Sequence, residues 1–169
     1  MSPLEAGILV GMDIRSALKS QYHAALTMLR DAVEQCPPDV WTAGEHPRNF
    51  WRIAVHAVFY GHLYLMQTEA DFQPWAKFRK TSEDLYGECP EIEPYTQAEV
   101  IEYLDIVNGM IDEHIDRMDL GTADCGFSWY SMPKLDHQIL NIRHIQEHAG
   151  QLRERLFMGH ADPRWVGKA

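Results

Sequence analysis

The chain has 169 residues, 46% of them hydrophobic and 24% charged, which is typical of one globular domain that buries a core without disulfide bonds. Its formal net charge of −10 and the absence of a basic cluster argue against nucleic acid as a partner. No segment has the roughly 18 apolar residues that span a bilayer, and the N-terminal run lacks the basic residues of a signal peptide. Three scattered cysteines without a CxxC pair indicate a reducing compartment, so we expect a cytoplasmic protein without a membrane partner.

Apolar residues at three-to-four spacing predict the first two helices. The first runs from about Asp13 to Glu34 and ends before Pro37 and Pro38, because proline lacks the N–H group that a helix needs. The second runs from about Asn49 to Thr68. It is apolar on almost every side, so we expect it to be largely buried.

The second half of the chain predicts two more helices. The connection from Asp71 to Tyr95 is too long for a tight helical hairpin. The third helix begins at Thr96, where Thr96 and Glu99 form a capping box, and continues to about Ile115. A fourth helix runs from about Pro133 to Met158, since proline suits the first helical turn.

These elements predict an all-α fold, because no strand alternation and no internal repeat occurs. Four helices with a long crossover between helices 2 and 3 make a four-helix bundle. We expect a single domain over residues 1–169, with a flexible N-terminus (1–12) and a C-terminal tail (160–169).

The fourth helix carries a histidine stripe. At about 100° per residue, His144 and His148 lie about 40° apart on one face, and His137 lies on the same stripe two turns earlier. A pair at this spacing can place two imidazole nitrogens on one metal ion, although surface and packing histidines show the same spacing. His137 either touches the site or packs beside it. Four other histidines are expected to be solvated or locally hydrogen-bonded: His23, His46, His114 and His160.

The second helix offers a third histidine. His56 lies among apolar residues and shares a face with Ile53, Tyr60 and Leu63. Burying an imidazole there is costly unless it is hydrogen-bonded or bound to metal. His62 projects about 120° away, so we expect it at the rim or on the surface. Three histidines from two helices, with coordination positions left open, are typical of a catalytic metal site.

The same histidine pair also matches the HxxEH motif of inverted zinc proteases. In those enzymes the glutamate is the general base, and a further acidic ligand lies on a helix well downstream. Only residues 149–169 follow here, and Glu154 and Asp162 are the only carboxylates among them. A protease is therefore not favoured, although Glu147 could still reach the edge of the site.

Taken together, the histidine motifs resemble the DinB-like family of small four-helix metalloproteins. The similarity lies in HIQEHAGQL (144–152) and in NFWRIAVH (49–56), a histidine in the second helix after a tryptophan. Further similar segments extend over most of the chain: CPP (36–38) with Trp41, FQPW (72–75), GFSW (126–129) and NIRH (141–144). The resemblance implies a bundle with one long crossover and frequent dimers. It also implies a divalent transition metal, nickel or zinc, held by His56, His144 and His148.

The resemblance also implies a type of chemistry. Characterised members include bacillithiol S-transferases and mycothiol-dependent maleylpyruvate isomerase, which use the metal to activate a low-molecular-weight thiol. A divalent ion with open positions lowers the pKa of a bound water or thiol. We therefore expect a metal-dependent enzyme, a thiol-dependent S-transferase acting on small electrophiles. The alternative is a non-catalytic bundle that binds metal or a small ligand.

Several side chains are candidates for roles around this site. Tyr60, one turn from His56, could donate a proton or bind substrate. Asn141 and Gln151 flank the ligand pair and could orient substrate or the second nitrogen of a ligand. Cys125 could be a nucleophile, but it has no basic neighbour to favour the thiolate. Three aromatic residues are expected to wall the pocket or to fill the core: Trp51, Trp129 and Tyr130.

The second helix also predicts an oligomer. Its apolar surface exceeds what one bundle core readily covers, and excess apolar surface usually marks an interface. We therefore expect a homodimer built from helix faces.

Overall fold

The structure, a computed structural model, describes residues 13–158 and 163–169. Within these ranges the chain forms five α-helices and one short 3-10 helix (Glu69–Asp71), and no strand. The α-helices are α1 (Ile14–Glu34), α2 (Pro38–Trp41), α3 (Phe50–Tyr64), α4 (Gln97–Arg117) and α5 (Lys134–Phe157). The predicted all-α class is confirmed for this part of the chain. The expected flexible N-terminus (1–12), residues 160–162 of the expected tail and His160 lie outside it.

The four long helices correspond to the four predicted ones. The capping box at the start of α4 is present: the Glu99 N–H donates to Thr96 Oγ1 at 3.2 Å and the Thr96 N–H to the Glu99 carboxylate at 2.8 Å. Two differences concern helix ends. Helix α3 ends at Tyr64, earlier than predicted, because Thr68 and Asp71 form their own capping box around the 3-10 helix. The second difference is the short α2, which the sequence analysis did not predict. Pro37 and Pro38 were interpreted only as the end of α1, but proline is also favoured in the first turn of a helix, and Pro38 begins α2.

The core lies between the long helices. Helix α1 packs along α4 and α5, while α3 packs along α5 and, less extensively, along α4. Gly61 allows a close approach of α3 to α5, because a Cβ atom there would lie 3.2 Å from the Ile145 side chain. This contact places the inner face of α3 directly against the histidine stripe of α5.

Helix α3 is the most enclosed element. Every one of its residues except Tyr60 is already buried within a single chain, mainly by α4 and α5. Its apolar surface therefore no longer argues for a homodimer, which stays a prediction. None of the helices in the described ranges is both long enough and apolar enough to cross a bilayer.

The connection between α3 and α4 (65–96) is anchored on α3 by Arg52, a fully buried arginine. Its guanidinium donates to the carbonyl oxygens of Thr81 at 3.1 Å, Pro90 at 2.9 Å and Asp84 at 3.3 Å. Three carbonyl acceptors satisfy most of the donors of a buried guanidinium. The anchor fixes the backbone around Glu83 beside the inner face of α3.

Candidate metal centre

Three imidazole rings meet where α3 faces α5. The Nε2 atom of His144 lies 3.1 Å from His56 Nε2 and 3.1 Å from His148 Nε2. The candidate ligand atoms of the three histidines all lie within 4.8 Å of one another, a separation that one metal ion can bridge. The structure thus brings together the three histidines that the sequence singled out, and the group could hold a metal ion.

Hydrogen bonds to the outer nitrogens fix how two of the rings are protonated. The Nδ1–H of His56 donates to the Glu83 carbonyl oxygen at 2.5 Å, and a carbonyl can only accept. The Nδ1–H of His148 donates to Gln151 Oε1 at 3.0 Å, while the Gln151 amide N–H points to the Glu147 carboxylate at 3.5 Å. Neutral His56 and His148 therefore both present a bare Nε2 lone pair to the centre.

A cation satisfies this arrangement better than hydrogen bonds do. His144 Nε2 carries at most one proton and can donate it to only one of its two neighbours. At least one of the two Nε2···Nε2 contacts therefore has no proton between the nitrogens. The Nδ1 of His144 is buried and has no hydrogen-bond partner in the described part of the chain. A divalent ion accepts all three lone pairs at once, and imidazole suits nickel and zinc. The residues present thus fit a transition-metal ion.

Burial keeps the three rings neutral. Burial is the main cause that lowers the pKa of His56 to about 4 and that of His144 to about 3. The charge of neighbouring histidines contributes to both shifts, and the hydrogen bond to the Glu83 carbonyl opposes the shift of His56. Burial also lowers the pKa of His148, although Gln151 and Glu147 oppose the shift. All three imidazoles are therefore available as neutral ligands at physiological pH.

An aromatic cavity opens onto the centre. Its volume is about 460 Å³, and His56 and His144 both face it. Five aromatic side chains form its walls: Tyr60, Tyr64, Tyr86, Trp129 and Tyr130. Trp129 and Tyr130 thus wall the pocket as expected. Trp51 does not, because it is buried in the core against Tyr95, with ring centroids 6.2 Å apart.

A second cavity of about 540 Å³ lies on the other side of His144, between α1, α5 and the C-terminal residues 165–167. Tyr130 and His144 line both cavities. Only one of the three histidines reaches this second space. The aromatic cavity, with two of them, is the better candidate for the place where a substrate meets the centre.

Tyr60 stands at the border of the centre and the aromatic cavity. Its ring centroid lies 4.7 Å from that of His56 and 5.6 Å from that of His144. Burial raises the pKa of the Tyr60 phenol, and the negative charges of Glu83 and Asp84 raise it further. The hydroxyl therefore keeps its proton at neutral pH, as a donor to a ligand must.

The other two candidates differ in position. Gln151 holds the outer nitrogen of His148 and so orients a ligand, one of its expected roles. Asn141 is fully buried, and its amide donates to the Gly61 carbonyl at 3.0 Å. Its described contacts tie α5 to α3 within the core, away from the aromatic cavity.

His62 corrects one expectation. It is not at the rim: only 5% of it is exposed, and its Nδ1 accepts from the Tyr103 hydroxyl at 3.0 Å. The Phe72 ring packs on it, with centroids 4.9 Å apart. Helical phase correctly predicted that His62 lies on a different side of α3 from His56. That side is buried as well, because α4 and the segment between α3 and α4 cover it.

The remaining candidates are packing or surface residues. His137 is fully buried and lies between the rings of Phe127 and Tyr64, at centroid distances of 4.7 Å and 4.8 Å. Cys125 is fully buried, so its thiol is closed to a substrate. His23 and His46 are locally hydrogen-bonded, to Asn108 and to the Cys89 carbonyl, as expected.

Two supporting residues were not predicted: Arg52 and Glu83. The spacing of Arg52 and His56, four residues apart in an apolar helix, was a usable signal that both side chains share one inner face. The Glu83 carbonyl lies in an irregular segment that no periodic pattern marks.

Comparison with known proteins adds no relative: no family model, curated protein or solved structure matches this chain. The capacity of the centre to hold a metal ion is therefore inferred from its own geometry.

Proposed function

We propose that the protein is a metal-dependent enzyme of the DinB-like type, a four-helix bundle with a long crossover between its second and third long helices. In this proposal His56, His144 and His148 hold one divalent transition ion, nickel or zinc. The convergence of three Nε2 atoms, two of them bare because Glu83 and Gln151 hold the opposite nitrogens, supports it most strongly.

The proposed reaction is the transfer of a low-molecular-weight thiol to a small electrophile. A bound ion would lower the pKa of the thiol that it coordinates. The aromatic walls offer an apolar surface against which a small electrophile can pack. The Tyr60 hydroxyl, protonated at neutral pH, donates a hydrogen bond to the electrophile or a proton to the product.

A non-catalytic role is the second candidate. None of the residues that line the aromatic cavity carries a carboxylate, so the described walls offer no acidic side chain as a general base. A protein that only binds metal or a small ligand needs none. The same three histidines serve either function, and turnover alone separates them.

A thiol-conjugation screen tests the enzyme. The metal-loaded protein is incubated with a panel of low-molecular-weight thiols and a chromogenic electrophile, with the metal-loaded His62→Ala variant as a matched control. We expect conjugation by both and none by His56→Ala. Full metal occupancy without conjugation of any thiol would favour the binding protein instead.

Two further properties belong to the proposal. The compartment is reducing, such as the cytoplasm, since Cys36, Cys89 and Cys125 are all free. The proposed homodimer would give a sedimentation mass of two chains at micromolar concentration, and a mass of one chain would contradict it.

A further inference from the structure

Two arginines come together at one end of the histidine centre. The Arg155 guanidinium, on α5, donates to the backbone carbonyl of Arg48 at 3.0 Å, just before α3. Neither arginine forms an ion pair with any residue in ranges 13–158 and 163–169. Burial and the charge of Arg48 lower the pKa of Arg155. Two adjacent cations without a carboxylate are unexpected in a chain of net charge −10.

Helix geometry and one aromatic contact place the two arginines beside the centre. Arg155 follows His148 by seven residues on α5, which places it about 20° away in phase and about 10 Å further along the helix axis. Helical side chains lean toward the helix N-terminus, which for Arg155 is the direction of His148. The Arg48 guanidinium lies 5.4 Å from the ring of Tyr86, which lines the aromatic cavity with His56.

The surrounding backbone leaves room for the Arg155 guanidinium. Gly44 has a φ of +108°, a conformation that favours glycine. A Cβ atom at Gly44 would lie 3.1 Å from Arg155 Nη1 and 2.9 Å from the Arg48 carbonyl oxygen. The turn is therefore shaped around the two arginines.

We propose that Arg48 and Arg155 bind an oxyanion, a carboxylate or phosphate, on a ligand whose other end reaches His56, His144 and His148. The guanidinium fork matches both groups, and its half-buried position strengthens the charge-assisted hydrogen bonds. This rests on the proposed function and narrows it: the thiol or its acceptor carries a negative group at the end remote from the reacting atom.

Cobalt-loaded protein tests the oxyanion site, because a thiolate bound to Co²⁺ gives a charge-transfer absorption band. The probes are mercaptopropionate, mercaptohexanoate and mercaptooctanoate, each against the mercaptoalcohol of the same length. We expect one of the carboxylates to bind about tenfold or more tightly than its alcohol. Arg48→Gln and Arg155→Gln should each remove this advantage, whereas Arg117→Gln on α4 should keep it. Equal affinities at every length, or an advantage that survives both substitutions, would overturn the proposal.

A measurement without thiol separates the two proposals. Succinate and inorganic phosphate are titrated into the metal-free protein, and backbone amide shifts around Gly44 are followed by NMR. We expect shifts in the unmodified protein and none in Arg155→Gln. Absence of a thiolate band with every probe would contradict the thiol chemistry alone. Absence of amide shifts with both anions would contradict the oxyanion site.

Discussion

Helix α3 carries two buried histidines with opposite surroundings. Burial lowers the pKa of His56 and of His62 alike, to about 4. His62 Nδ1 faces the Tyr103 hydroxyl, which has a proton to give, whereas His56 Nε2 faces His144 Nε2, a nitrogen that can give a proton to at most one of its two histidine neighbours. Burial and a low pKa therefore do not distinguish a packing histidine from a metal ligand. The chemistry of the partner atom does.

Substitution of each histidine by alanine gives the largest expected difference. His56→Ala deletes one of three proposed ligands, so metal affinity should fall by more than about 100-fold. His62→Ala should keep the metal and instead lose roughly 1–3 kcal/mol of unfolding free energy, because the buried Tyr103 hydroxyl loses its acceptor. Parallel metal titrations and denaturant unfolding measure both effects. Metal loss in His62→Ala with retention in His56→Ala would reverse the two roles.

Arg52→Met tests whether the anchored connection supports His56. Loss of three carbonyl contacts should free the backbone around Glu83, and with it the acceptor of the His56 Nδ1–H. Metal affinity should fall roughly 10- to 100-fold. In a His56→Ala background the same substitution should have no further effect on affinity. An equal loss in both backgrounds would show that Arg52 acts through general stability.

His56 and His62 should contribute in the same way to the pH dependence of the stability of the metal-free protein. Each has a folded pKa near 4, below the ordinary value of 6.5, so between these values the unfolded chain binds more protons. Stability of the metal-free protein should therefore be full above pH 6.5 and fall as the pH drops toward 4, by up to about 1.4 kcal/mol per pH unit for each histidine. His56→Phe and His62→Phe should each flatten this slope. Urea unfolding across this pH range measures the slope. A slope that is unchanged in either variant would show that the pKa of the substituted histidine is not lowered in the folded protein.

Among the substitutions expected to weaken metal binding, Gln151→Ala should have the smallest effect. It removes the acceptor of His148 Nδ1–H but leaves all three ligands, so metal affinity should fall about tenfold. Gln151→Glu keeps an acceptor and should retain the affinity of the unmodified protein. Equal losses in both variants would show that the hydrogen bond to His148 is not what matters.

The contrast between His56 and His62 also shows what the sequence could reveal. Helical phase identified His56, His144 and His148 because one periodicity fixes which side chains share a face. It could not reveal what covers the opposite face, and so His62 was predicted to lie at the rim or on the surface. Glu83 was missed for a related reason: its carbonyl lies in an irregular connection whose path depends on the buried anchor Arg52.

The central claim is that His56, His144 and His148 bind a metal ion, and metal content tests it most directly. Elemental analysis of the purified protein should find roughly one divalent transition ion per chain. The His144→Ala/His148→Ala double variant, shown by circular dichroism to remain helical, should contain almost none. Full retention of metal in this double variant would contradict the assignment of the site.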